Sequence, residues 1–286
     1  MTAITWSGAV QASRRRFATM GQPALIASSS IAALLIVLAV VGPWIAPYDP
    51  DATDVLAARE GMSPQHLLGT DSLGRDILSR ALTGARLSLT APALIVAISA
   101  VLGTALAIFS AWHGGAVDRM INRLLNVMFS VPGILVAVLA SAVFGAGFWA
   151  PVLALGVVYT PYVARVVRSV ALRERQRAYV ESLQLAGVSS LQICVRHLAP
   201  NVMPIVVAQA TYGFGSALAD FAAISFIGLG VQPPASEWGV MVSDGRSELL
   251  DGAILQSLVA GTLIVATVIV FNVLGAQLSS RSGGRR

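Results

Sequence analysis

LLNVMFSVPGILVAVLASAVFGAGFWAPVLALGVVYTPYVA, residues 124–164, carries no charged side chain. A bilayer hydrocarbon core of ~30 Å takes about 20 helical residues, so this run is too long for one crossing and long enough for two. Its middle holds Gly145-Ala146-Gly147-Phe148-Trp149-Ala150-Pro151, a cluster of turn formers. The run therefore reads as a hairpin of two membrane helices, 124–144 and 150–168. Outward from it, residues 17–48, 87–117, 197–219 and 252–280 are uncharged as well, and the run from 197 continues past Asp220 to about Gly230. The expectation is an all-α membrane protein with six transmembrane helices, roughly 24–46, 88–111, 124–144, 150–168, 201–228 and 254–276.

Composition agrees: 56% of residues are apolar, 12% are charged, and mean hydropathy is +0.75. The single Cys194 excludes an internal disulfide. A net charge of +5 would point to nucleic acid in a soluble chain; here its distribution matters more, and membrane lipid is the expected contact. With six spans, the termini share one side with loops 112–123 and 169–200, and 14 of the 19 arginines fall there. The positive-inside rule places both termini in the cytoplasm. The tails are 1–23 and 281–286, flanking a transmembrane unit at 24–280. Arg14-Arg15-Arg16 before the first apolar run imitates a twin-arginine signal, but the run is of full span length and more spans follow, so a retained helix is expected.

Every one of the 19 basic residues is arginine. A phosphate loop of the form G-x-x-x-x-G-K-[ST] needs its lysine, so this chain has no such loop. No H-E-x-x-H, C-x-x-C or G-x-S-x-G occurs. His66 is expected outside, and His113 and His197 on the cytoplasmic side, so they share no metal site. No catalytic residue and no bound cofactor is expected.

Four segments stand out from the apolar background. In the outer segment 47–87, Thr70, Asp71 or Ser72 can cap a helix start. Leu73, Ile77, Leu78, Ala81 and Leu82 recur opposite Arg75, Asp76, Ser79 and Arg80, which fits an amphipathic helix at the membrane surface. Such a helix serves either as a collar for the second span or as a docking surface for an external partner. In the inner loop 169–200, Glu181, Ser182, Leu183, Gln184, Leu185 and Ala186 form a short helix that Gly187 ends in a left-handed conformation. Ser189 or Ser190 caps a second short helix towards His197, and Pro200 and Pro204 occupy the first turn of the fifth span. Two short helices joined at a glycine are more than a connector needs and point to a docking element.

Asp220 is the one ionisable residue well inside a span. An intramembrane acid faces the bundle interior or a water-filled cavity, either lining a pathway or paired structurally with an arginine or hydroxyl. The outer loop 228–239 ends in Glu237-Trp238-Gly239, where Trp238 suits the interfacial belt.

Read together, these segments resemble the C-type permease of dipeptide and oligopeptide ABC importers, a group with nickel-importing relatives. The inner loop is similar to the family's E-A-A-x-x-x-G-x(9)-I-x-L-P motif: Glu181, Gly187 and Pro200 match. Ser182 and Leu183 stand in place of the two alanines, and His197 and Ala199 in place of the apolar pair. Arg196-His197-Leu198-Ala199-Pro200-Asn201 resembles the R-H-x-L-P-N of the peptide branch. Leu68 to Asp76 resembles the signature before the second span, and Ser225 to Pro234, Glu237-Trp238-Gly239 and Asp244-Gly245-Arg246 the signature after the fifth.

The resemblance implies a type I importer permease in a bacterial inner membrane. It implies a second, B-type permease, cytoplasmic ATPases that bind ATP and Mg, and an external substrate-binding protein. The loop around Glu181 and Gly187 would be a coupling helix seated on an ATPase, and Asp71, Arg75, Asp76, Glu237 and Trp238 are outer docking candidates. Peptides would be the cargo, moved by alternating access. A secondary transporter or channel working without ATP is the competing reading; it would carry several intramembrane charges and broken helices.

Overall fold

The computed structural model describes residues 22–250 and 252–283. The arginines at 14–16, 285 and 286 lie outside the described residues, as does most of the two tails. Among the described residues the fold is helical, with no strand beyond an isolated bridge between Thr70 and Asp76.

Eleven α-helices occur among the described residues: α1 Gln22–Ile45, α2 Ile77–His113, α3 Gly115–Ser130, α4 Gly133–Phe144, α5 Trp149–Arg175, α6 Ala178–Leu185, α7 Ser190–Ile193, α8 Ala199–Phe226, α9 Trp238–Asp244, α10 Arg246–Leu250 and α11 Leu255–Gly283. Five stretches are long and apolar enough to cross a membrane: α1, α2, α5, the continuous run Ser190–Phe226, and α11. The pair α3 and α4, bent by 80°, is long and apolar enough for a sixth crossing if it is counted as one span.

That bend corrects the single straight span expected at 124–144. Pro132 lacks an N–H, and Val131 before it is pushed out of helical backbone; Val131 is extended at φ −102° and ψ 126°. Residues of α4 alone would rise about 18 Å at 1.5 Å per residue, short of the ~30 Å core. Helix α3 instead buries Ile121 and Leu125 against Ala164 and exposes Met120, Leu124 and Val127.

The second span also starts earlier than expected. There is no separate surface helix before it: α2 runs unbroken for 37 residues. Its cap is Asp76, not Thr70, Asp71 or Ser72; Oδ2 accepts the Ser79 N–H at 2.7 Å. The face read as polar and solvated (Arg75, Asp76, Ser79 and Arg80) is buried, whereas Leu73 is exposed.

Helix α2 is the spine, packing along α5 and against α8 and α1. Gly103 lets it approach α5 closely, since a Cβ there would sit 3.0 Å from the Ala164 N and the Thr160 O. One apolar cluster joins α1, α2, α8, α9 and α11, with Phe214 and Phe271 stacked at 3.9 Å. A second, formed by α2, α5, α6, α7 and α8, lies where α2 and α5 end and α8 begins. We call this the arginine-rich end; the opposite end, holding residues 46–76, 227–250 and 252–254, is the acidic end.

Candidate functional site

At the arginine-rich end, α5 continues to Arg175, seven residues beyond the expected span, before the chain turns into α6. Gly187 ends α6 with φ +79°. The Gly187 N–H donates to the Gln184 carbonyl and the Val188 N–H to the Leu183 carbonyl, each at 3.0 Å. This pair of bonds is the Schellman stop, which needs a left-handed residue at that place. Ser189 then caps α7, its Oγ accepting the Gln192 N–H at 3.3 Å. The jointed pair of short helices read from the sequence is present.

One face of the joint is anchored. Val180, Leu183 and Val188 pack into the cluster with Ile193 and Leu198. Beneath them Glu174 is 6% exposed. Its Oε1 accepts the Tyr179 hydroxyl at 3.0 Å and the Asn201 amide at 2.9 Å, and its Oε2 faces Arg177 Nε at 3.0 Å. Glu174 thus ties α5, α6 and α8 together. Burial, and the bond donated to Glu174, push the Tyr179 phenol above its ordinary value. Sequence reasoning missed this hub, because a lone acid among Arg173, Arg175 and Arg177 reads as a solvated charge run.

The other face is open. Glu181, Ser182, Gln184, Ala186 and Gly187 are exposed, and Leu185 is 84% exposed. Leu191 and Val195 continue the apolar strip along α7 and the turn after it. His197 is half-buried, its ring 6.4 Å from that of Tyr179.

Pro200 does not begin a span. Residues 194–198 form a π-helical turn that joins α7 to α8 without a break; the Ala199 N–H reaches back to the Cys194 carbonyl. The wider turn makes room for a proline ring that would clash with the carbonyl four residues back in a regular helix.

The five outer docking candidates sit differently. Asp71, Arg75, Asp76, Glu237 and Trp238 are all at most 4% exposed. Asp71 Oδ2 receives Arg75 Nε at 2.6 Å and Arg80 Nη1 at 2.9 Å; both guanidinium groups also reach Asp244 at 3.3 Å. Asp76 meets His66 at 3.0 Å. Glu237 caps α9 through the Val240 N–H at 3.0 Å and accepts the Ser88 hydroxyl at 3.0 Å. Trp238, expected in the interfacial belt, is instead buried and donates its indole N–H to the Ala81 carbonyl at 3.0 Å. Gly84 permits that approach, because a Cβ there would fall 1.6 Å from the Ser236 carbonyl oxygen. These side chains lock the collar together and are withdrawn from any docking surface: alternating apolar and charged residues at helical spacing do not reveal that the charges pair with each other.

Asp220 lies on α8 facing α5 and is half-buried; its Oδ2 accepts the Tyr159 hydroxyl at 2.9 Å. It is therefore hydroxyl-paired, not arginine-paired. Among the described residues no group of three or more His, Cys, Asp and Glu side chains converges as a metal site.

Residues 103–282 match the family model described as binding-protein-dependent transport system inner membrane component. The chain belongs to that family. Residues 13–64 match the N-terminal TM domain of oligopeptide transport permease C, which bears out the resemblance to C-type permeases. Over 270 residues the chain is 34% identical to the probable D,D-dipeptide transport system permease protein DdpC of Escherichia coli K12, covering 93% of this chain and 90% of that one. Over 249 residues it is 39% identical to the glutathione transport system permease protein GsiD of Escherichia coli O6:K15:H31, covering 86% and 81%. As an inner-membrane permease of the ABC type, this family member crosses the membrane with the helices described above.

Proposed function

We propose that this chain is the C-type permease subunit of an ATP-driven peptide importer, working by alternating access. The observation that carries the reading is the joint at Gly187: a short helix pinned on one face by Glu174 and Val180, with Leu185 and Leu191 left in solvent on the other. Bare leucines at the tip of a pinned loop suit a cleft on a partner protein. The arginine-rich end is the cytoplasmic one by the positive-inside rule, so that partner is an ATPase, which holds the ATP and Mg that a lysine-free chain cannot cradle in a phosphate loop. Closure of two ATPases would move α6, and α6 would move α5 and α8 through Glu174 and Asn201. A B-type permease completes the pathway and an external binding protein delivers the peptide. The permease itself does no covalent chemistry; it contributes packing and a bistable interface.

Purification of the tagged chain from its native membrane in mild detergent, with mass spectrometry of what accompanies it, tests this. Recovery of a second permease, an ATPase and a binding protein is expected. Recovery of the chain alone, active in liposomes without ATP, would replace the reading with a secondary transporter.

A further inference from the structure

Asp220 and Arg165 have no charged partner among the described residues, and they stand at the two ends of one aromatic strip. On α8, Asp220 uses Oδ2 to accept the Tyr159 hydroxyl, and Oδ1 has no hydrogen-bond partner among the described residues. On α5, Arg165 donates only to Asn126 Oδ1 at 2.9 Å and lies over the Phe129 ring at 4.2 Å; no carboxylate meets it. Rings connect the two: Tyr159 is 5.8 Å from Tyr162, and Tyr162 is 4.6 Å from Phe129. The strip is open, since Tyr162 is 55% exposed and Arg165 and Asn126 are exposed as well.

The contrast with Arg168, one turn further along α5, is direct. Arg168 is held bidentately by Asp118, Nε to Oδ1 at 2.6 Å and Nη2 to Oδ2 at 2.5 Å. An intramembrane acid such as Asp220 costs several kcal/mol on a lipid-facing wall, so this face of α5 and α8 is turned from lipid, towards the pathway shared with the second permease. Phe148 packs on Phe221 at the acidic end, so Asp220 lies towards that end and Arg165 towards the other. Tyr159 and Arg165 are six residues apart, about 9 Å along the axis. An extended chain spans ~3.3–3.6 Å per residue, so the ends of a two- or three-residue peptide are separated by a similar length.

We infer that Asp220 and Arg165 bind the two ends of a short zwitterionic peptide in transit: Asp220 takes the ammonium group, with Tyr159 aiming its carboxylate, Arg165 takes the terminal carboxylate, and Tyr162 and Phe129 line the wall between. The strip is then a specificity-determining surface of the permease itself, additional to whatever selection precedes it. This rests on the peptide-importer reading above.

The test uses the complete complex in proteoliposomes, with radiolabelled trialanine, its N-acetyl form and its C-terminal amide, each supplied at equal measured occupancy of the binding protein. ATP-dependent import of free trialanine by the wild type tests the importer reading alone, and its absence would remove that reading. Given import, Asp220→Asn is expected to lower the ratio of free to N-acetyl import about tenfold while sparing the ratio of free to amide; Arg165→Gln is expected to do the reverse. A variant that fails to assemble is replaced by Tyr159→Phe at the first end or Arg165→Lys at the second, with smaller shifts of the same ratios expected. Unchanged ratios, or both ratios falling together in either variant, would overturn the assignment.

Discussion

The two ends of this molecule handle charge in opposite ways. At the acidic end Asp71, Arg75 and Arg80 are buried and paired, with Asp244 completing the network and Asp76 and Glu237 capping helices beside it. At the arginine-rich end the charges of 173–187 are mostly in solvent and only Glu174 is buried. The apolar residues reverse as well: Trp238 and Met241 are buried at the first end, while Leu185 and Leu191 stand bare at the second. A region that satisfies its own groups is a scaffold. A region that leaves leucines in water while fixing their backbone is waiting for another surface.

Removing one member of the buried network should have the largest effect. Asp71→Ala leaves two guanidinium groups short of their shared acceptor, and loss of one partner of a buried pair costs about 3–5 kcal/mol. Its unfolding in mixed micelles should shift by that amount, whereas a shift under ~1 kcal/mol, the scale of an exposed pair, would place the network in solvent. Glu174→Ala should cost less, about 1–3 kcal/mol, because it strands the Tyr179 hydroxyl and the Asn201 amide but no buried cation. It should also loosen α6, read as faster proteolysis at 176–189; protection equal to wild type would mean that Glu174 is not the anchor.

These first two contrasts also mark what the sequence made legible. Span number, the hairpin at 124–164, and the glycine joint followed from charge gaps and turn residues, which are local properties. The unbroken run from Ile77 to His113 did not, because polar residues at 75–80 read as solvated until Asp244, more than 160 positions away, is brought beside them. The bend at Pro132 was written in Val131-Pro132-Gly133 but outweighed by the uncharged length around it. The Glu174 hub depends on Asn201, which lies across the loop, and Asp220's hydroxyl partner on α5. Pairings across helices are tertiary facts that no local pattern carries.

A smaller effect concerns pH. Burial holds the Glu237 carboxyl above its ordinary value, and burial does the same to Asp244. For such a group the folded state binds the proton more tightly than the unfolded one, so stability is highest below the ordinary glutamate range of ~4.3 and falls as pH rises through the window above it. The thermal midpoint should therefore decline with pH from that point, and Glu237→Gln should flatten the decline. An unchanged slope in the variant would assign the dependence elsewhere.

The smallest effect on folding, and the sharpest on the comparison, is expected at the bare end. Leu185→Ser should change stability by less than ~0.5 kcal/mol, as surface substitutions usually do, yet reduce the ATPase recovered with the chain. Full recovery would mean that the exposed leucine contacts no partner.

The central claim is that the joint at Gly187 couples this permease to ATP hydrolysis. Gly187→Pro tests it most directly, because proline fixes φ near −65° where the joint requires +79°. The ring also replaces the N–H that donates to the Gln184 carbonyl at 3.0 Å, so the substitution removes both the left-handed backbone and one of the two bonds of the stop. ATPase activity of the complex, stimulated by peptide-loaded binding protein, should be lost while the variant chain still inserts and accumulates. Stimulated hydrolysis at the wild-type rate would contradict the account.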